Sequence, residues 1–305
     1  MADFPLPSES TSIIKLADWL ELMALQSPDE NSSKGDLESA LTTASLMSKE
    51  GIETKVLSVF AELQSRSRAS GPAYPFAING AVLQFRGDRT EYSSYLFCLA
   101  LSYFGWSTKR HWEINVDPWL LFEELCAIAA AQFIGGRVHR FGTSRIRTTN
   151  TSVFKAAIDQ LCIDLGEGVK FKPQPPRWKK DDKVDLVAWK EFKDKKTSKL
   201  IMFGQCAAGD NFKDKLSDLD PVAFWKKWMS GSSVSPHLKS FYIPHRVHEL
   251  DWDNMAIDCG IIFDRCRVCN WAFQQNSSIT SDARYRRWFR HILRNQKPLP
   301  KPTVA

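Results

Sequence analysis

The chain has no apolar run of about 18 residues, so no membrane-crossing helix is expected. Its first residues, Met1-Ala2-Asp3-Phe4-Pro5, lack a basic stretch followed by an apolar one, and no secretory signal is expected. It has no internal repeat and no long low-complexity segment, which sets aside solenoid and fibrous architectures. Cysteine is scarce and odd in number, at 7, and most of these residues sit in apolar surroundings. Cys98 lies in YLFCLAL, Cys126 in ELCAIAA and Cys162 in QLCIDL. That pattern predicts buried reduced thiols in a cytoplasmic protein, not a disulfide framework.

What is present is ordinary globular material. The 305 residues are 43% hydrophobic and 25% charged, with 11 Trp and 19 Phe, so an aromatic-rich packed core is expected. Charge is unevenly distributed. Residues 1–116 hold 10 basic and 14 acidic groups, and residues 117–305 hold 31 and 21, a net +10. A polyanion would choose the second part, which makes nucleic acid the expected partner.

Apolar periodicity predicts a helix over 10–26, with Ile13, Leu16, Leu20 and Met23 on the buried face and Lys15, Asp18 and Glu21 on the other. Ser10 or Thr11 is its expected cap. Further helices are predicted over 36–48, 52–66 and 91–105, with SPDENSSKG a loop and FAINGAVLQF a strand pair turning at Asn79-Gly80. Residues 1–110 are thus expected to form a mostly helical module.

The second part, 117–305, reads as α/β. Asp117-Pro118 opens a strong helix that Gly135-Gly136 ends. RVHRFGTSRIR follows as a basic loop, then a helix over 152–165. VDLVAWKEF and KLIMFGQCA read as paired strands joined by KDKKTSK, and a helix is expected to begin near Phe212. PVAFWKKWM is helical, KSFYIPHR and GIIFDRCRV are strands, and DARYRRWFRHILR is a basic closing helix. In that closing helix Arg284, Arg286, Arg287, Arg290 and Arg294 alternate with Tyr285, Trp288, Phe289 and Ile292. One face of such a helix can dock while the other meets phosphates.

The most informative stretch runs from Asp185 to Gln205-Cys206-Ala207. A phosphodiesterase using Mg²⁺ needs oxygen ligands converging at neighbouring strand ends. This hairpin, with an Asp opening one strand and Gln205 on the next, resembles the PD-(D/E)XK nuclease superfamily. LFEELC, RFGTSR, VDLVAWKEFKD, LIMFGQCAAGDNFKDKL and IIFDRCRV together resemble an uncharacterised bacterial branch of restriction-endonuclease-like, phage-defence proteins. The resemblance covers about 117–270, with a weaker match around YPFAINGAVLQF.

That resemblance implies a restriction-endonuclease-like mixed central sheet flanked by helices, and DNA cleavage dependent on Mg²⁺ or Mn²⁺. Asp185 is then the principal metal ligand, Gln205 the second, the Cys206 carbonyl a third, and Glu123 an acidic ligand or water-orienting group. The family pattern departs at Ala207, where a lysine is expected. Lys215 is the candidate replacement cation, Lys213 a second, and Lys190 a poor one because it points to the opposite face. Arg140 and Arg145 would clamp phosphate, joined by Arg286, Arg287 and Arg290. The resemblance also implies defence-system proteins as partners and is compatible with oligomers. Loss of the lysine favours a rival expectation, a catalytically silent nuclease fold that binds DNA or assembles with partners.

Other signals carry less. His245-x-x-His248 with Cys266-x-x-Cys269 has zinc-ligand spacing, but the cysteines are expected on a strand, facing opposite ways. Cys206 is expected to be a buried thiol and not a nucleophile. Asp264 and Arg265 are expected to pair with each other. Trp189, Trp225 and Trp228 are expected in the core.

Overall fold

The computed structural model describes residues 8, 10–44, 47–105, 114–141, 151–173, 183–273 and 282–294. Among them the chain is mixed α/β, with ten α-helices and two sheets. The first part holds α1 (Ile13–Gln26), β1 (Asn31–Ser33), α2 (Lys34–Ala44), α3 (Lys49–Ser70), β2 (Phe76–Asn79), β3 (Val82–Phe85) and α4 (Ser93–Phe104). Its sheet is antiparallel in the order β1-β3-β2. The expected hairpin at 76–85 is present, but 31–33, expected as loop, pairs with β3 through Asn31↔Gln84 and Ser33↔Val82. Ser12, not Ser10 or Thr11, caps α1, accepting from the Lys15 amide at 3.3 Å.

The second part holds α5 (Pro118–Ile134), β4 (Arg137–Arg140), α6 (Thr151–Leu165), β5 (Leu186–Lys190), β6 (Leu200–Cys206) and α7 (Pro221–Trp228). It continues with β7 (His237–Tyr242), α8 (Glu249–Cys259), β8 (Ile261–Phe263), α9 (Arg265–Phe273) and α10 (Ala283–Arg294). The five strands lie in the order β4-β5-β6-β7-β8. The first three run antiparallel; β7 and β8 run parallel to β6, each following a helix.

α5 is fixed at both ends by local chemistry. The Asp117 carboxylate accepts from the Trp119 and Leu120 amides at 2.9 and 3.2 Å, Pro118 occupies the first position, and Gly135 closes in the left-handed conformation. Leu121, Phe122, Leu125 and Cys126 bury it.

Two expectations fail here. Arg137–Arg140 is a strand and not a basic loop, because β5 offers it a free edge: Val138 stands opposite Ala188. Close approach there needs Gly136, whose added Cβ would lie 1.9 Å from the Trp189 carbonyl oxygen. The strand at GIIFDRCRV stops at Phe263, because Asp264 caps a new helix by accepting from the Arg267 amide at 3.1 Å. Cys266 and Cys269 therefore sit one turn apart on α9, both fully buried. α8 has no counterpart among the expected elements; His248 caps it, accepting from the Leu250 amide at 3.2 Å.

The five-stranded sheet has two different faces. Leu186, Ala188, Met202, Tyr242 and Phe263 join a core that runs continuously through α1, α3, α4, α5, α9 and α10. Val187, Trp189, Ile201 and Phe203 pack under α6 and α7, and Ala207, Phe241 and Ile262 under α8. The segments 1–110 and 117–305 thus share one core.

Their junction also contains buried charge. Asp18 and Glu21 are fully buried, contrary to the expected solvent face of α1, because that side packs on α3 and receives Arg265 of α9. Arg66 reaches Asp18 at 2.7 Å and Glu21 at 3.1 Å, and Arg265 reaches Asp18 at 2.6 Å. Tyr74 and Tyr95 hydroxyls donate to Glu21 at 2.9 and 3.1 Å. Arg265 therefore pairs with α1 and not with Asp264, which pairs with Arg246.

Candidate functional site

The strand end that the sequence singles out is irregular. Leu186 stands opposite Gly204, yet the Asp185 amide also donates to the Gly204 carbonyl at 2.9 Å. Two residues of one strand thus oppose one of the next, a β-bulge. The cores register the same break: Val184 packs under α6 and α7 while Leu186, two residues on, packs on the opposite face. Asp185 is stitched to both neighbouring segments. Its carbonyl accepts from the Phe141 amide at 2.8 Å, and its carboxylate accepts from the Cys206 amide at 2.6 Å, the short charge-assisted kind.

Around this point, on the α5 face, stand Cys206, Cys126 and Glu123. Glu123 is buried on α5, three residues before Cys126. Cys206 is half-buried against the α5-side core, its thiol beside that of Cys126. Burial, the Cys126 thiol, and the charges of Asp185 and Glu123 together push the Cys206 thiol well above its ordinary range. Burial likewise raises Cys126, to about 11. Both thiols stay protonated at neutral pH, so Cys206 is not a nucleophile of the thiolate kind.

The other expected groups lie elsewhere. Gln205 alternates with Phe203 and Ala207, on the face away from α5. It is buried, and its amide oxygen has no hydrogen-bond partner among the described residues. Lys215 ends a 3-10 turn, Phe212–Lys215, and the next residue, Leu216, packs with Ala207, Phe241 and Ile243. Lys215 therefore stands on the Gln205 side of the sheet. Lys213 pairs with Asp251 at 3.0 Å, and Lys190 bonds the Gly135 carbonyl. The fold brings Glu123, Asp185 and Cys206 together and separates them from Gln205 and Lys215. The physical reason is the bulge, which turns Asp185 out of the alternation that a count of two predicts.

Mg²⁺ demands several oxygen ligands in near-octahedral array. Here one carboxylate is already bonded to a backbone N–H, and the third group on that face is a neutral thiol, a poor ligand for a hard cation. No cluster of three or more His, Cys, Asp or Glu side chains suited to a metal occurs among the described residues. As arranged, the residues do not fit the ion. Nor do the zinc-spaced residues converge. His245 bonds the Ser102 hydroxyl at 3.1 Å, His248 caps α8, and Cys269 is buried beside Cys98.

The basic residues divide into two sets. Arg140 is structural: it meets Glu124 at 3.4 Å and the Leu120 carbonyl at 3.4 Å, tying β4 to α5. Arg284 also holds Glu124, at 2.7 Å. Arg145 lies outside the described residues. α10 buries Tyr285, Trp288, Phe289 and Ile292, with the Tyr285 and Trp288 rings each 5.1 Å from that of Phe97. Its opposite side exposes Arg287, Arg290 and Arg294. Arg286 is half-buried, donating to the Thr90 hydroxyl at 3.0 Å. A cavity of about 190 Å³ opens between α4 and α10, and Arg89 lines it. Sequence pattern gives no signal for Arg89, because its neighbours on α10 are about 200 residues away.

No protein-family model, curated protein or solved structure matches this chain.

Proposed function

We propose that this chain is a restriction-endonuclease-like fold that binds DNA and does not cut it, serving as a binding or assembly module with other proteins of a bacterial defence system. The strand arrangement supports the fold: α5, three antiparallel strands with α6 between the first two, a crossover helix and a fourth, parallel strand, in the order β4-β5-β6-β7. The observation that carries the silence is the environment of Asp185. Its carboxylate is bonded to the Cys206 amide, and its face of β6 offers Gly204 and Cys206 where a nuclease needs an acid and a lysine. The net +10 of residues 117–305 and the exposed arginines of α10 support the DNA partner.

The rival is a nuclease dependent on Mg²⁺ or Mn²⁺. It is favoured by the presence of Glu123 and Asp185 near one point, both acting on the same thiols. One experiment separates the two. The full chain is incubated with single- and double-stranded DNA and either metal, and binding and cleavage are both read. The proposed module binds with a steep salt dependence and leaves the DNA whole; Arg287→Ala with Arg290→Ala lowers the salt slope by about 2. Metal-dependent cleavage that disappears in both Asp185→Ala and Lys215→Ala would instead establish the enzyme.

A further inference from the structure

We propose that the cavity between α4 and α10 binds a phosphomonoester: the dianionic phosphate at the end of a nucleic-acid strand or on a free nucleotide. Four arginines line it: Arg89, Arg286, Arg290 and Arg294. The last three follow one another at intervals of four on α10 and so form a single stripe along one helix face. Leu96 and Phe289, both buried, lie beneath them.

Only part of the charge of these guanidinium groups is answered within the chain. Arg89 bonds Glu30 and the Leu25 carbonyl, both at 2.8 Å. Arg286 donates to Thr90, and its charge reaches Asp88. Arg290 and Arg294 have no carboxylate partner among the described residues, and the Arg286 Nε is buried without a hydrogen-bond partner there. Ser93, the first residue of α4, lines the same cavity, and Tyr92 before it provides no side-chain cap. The positive end of a 12-residue helix therefore adds to the arginines.

Size and charge select the ligand. The cavity measures about 190 Å³. It is smaller than the ~300 Å³ at which whole-ligand pockets begin. A phosphate head fits and the rest of the molecule stays outside. Two unanswered guanidinium groups match a dianion with three terminal oxygens, which forked donors bind at several points. An internal phosphodiester carries one charge and continues on both sides, so it suits an open groove better than a recess.

The inference deepens the nucleic-acid reading but can fail separately from it. The full chain is titrated with a 5′-phosphorylated oligonucleotide, the same oligonucleotide with a 5′-hydroxyl, a nucleoside monophosphate and inorganic phosphate. The 5′-phosphate should tighten binding by about tenfold or more, the effect of at least one charge-assisted hydrogen bond. Arg290→Ala with Arg294→Ala should erase that preference, and Arg290→Lys with Arg294→Lys should retain part of it. Both residues are exposed, so neither pair should disturb folding. A 5′-phosphorylated oligonucleotide that outbinds its 5′-hydroxyl counterpart identifies a strand end as the source; a monophosphate that binds while the two oligonucleotides do not differ identifies a free nucleotide. If both oligonucleotides bind equally and phosphate does not compete, the cavity proposal is overturned while DNA binding stands. If only the monophosphate or phosphate binds, and the double alanine variant abolishes it, the cavity proposal survives and the DNA reading fails.

Discussion

Replacing Asp18 with asparagine tests whether the helical and sheet segments fold as one. Asp18 sits fully buried between two guanidinium groups, 2.7 Å from Arg66 and 2.6 Å from Arg265. Burial alone would raise its carboxyl, yet Arg265 and Arg66 outweigh burial and hold it at about 2, against 3.8 ordinarily. That difference corresponds to roughly 2 kcal/mol of stability. The sign follows from proton counting. The folded carboxyl is the stronger acid, so its contribution is complete above 3.8 and lost as pH falls toward 2. The Asp18→Asn change removes the charge outright and leaves Arg265 with Glu21 at 3.7 Å, and Arg66 with Glu21 at 3.1 Å and Glu62 at 2.8 Å. Breaking one member of a buried ion network costs about 3–5 kcal/mol, a large share of the usual total of roughly 5–15 kcal/mol. Guanidinium chloride unfolding at pH 7, followed by tryptophan fluorescence and far-ultraviolet circular dichroism, should show one transition for both probes, shifted by that amount. At pH 3 the gap between the two proteins should narrow by about 1 kcal/mol. A cost under about 1 kcal/mol, or a second transition that the substitution leaves in place, would refute the shared core.

Other perturbations follow from the same geometry. Burial first, and the nearby charge of Lys15, lower His245 to about 4 from 6.5. The folded state therefore resists protonation, and about 3 kcal/mol of stability present above pH 6.5 is lost as pH falls to 4; His139 and His237, also lowered chiefly by burial, act in the same sense. Unfolding midpoints measured from pH 7.5 to 4.5 should fall less steeply in His245→Asn, and parallel curves would exclude the residue as the cause. Gly136→Ala sets a Cβ against the Trp189 carbonyl oxygen; overpacking against backbone should cost about 3 kcal/mol or more, and a midpoint near that of the parent protein would contradict the close approach of β4 to β5. Asp185→Ala leaves the Cys206 amide without its 2.6 Å acceptor, a loss of about 1–3 kcal/mol, whereas Asp185→Asn keeps an acceptor oxygen and should cost less than half as much; equal costs would argue against a structural role for that bond.

What the sequence made legible was what local chemistry determines. Asp117, Pro118 and Gly135 bracket α5, and each acts through neighbours within one turn. The hairpin of β5 and β6 announces itself by two apolar runs around a charged turn. β4 was hidden because three of its four residues are basic or histidine, and its partner lies about 50 residues on. α9 was hidden because the apolar run before Asp264 reads on as strand; only the cap at Asp264 shows the change of period. Asp18 and Glu21 read as a solvent face because their partners, Arg66 and Arg265, are supplied by distant helices. In the candidate site, a count of two along each strand pairs Asp185 with Gln205. A bulge inserts one residue into that count, and composition gives no warning of it.

The same bulge makes the proposed silence a property of the packed core and not of one missing lysine. On the face that Asp185 turns toward, β6 presents positions 204 and 206. A lysine at 206 would supply a cation beside Asp185 and Glu123, but the oxygen ligand would still have to come from 204. A Cβ at Gly204 would stand 2.7 Å from both the Leu186 Cδ1 and the Tyr242 Cε2. Tyr242 cannot readily give way, because it is fully buried and stacked on Phe263 with ring centroids 4.7 Å apart. The volume that a metal-binding carboxylate needs is thus filled by the aromatic packing that holds β7 and β8 to the α5-side core. Under the proposed reading, restoring the cation without dismantling that packing leaves one ligand too few, and cutting cannot be recovered by a change at Cys206 alone.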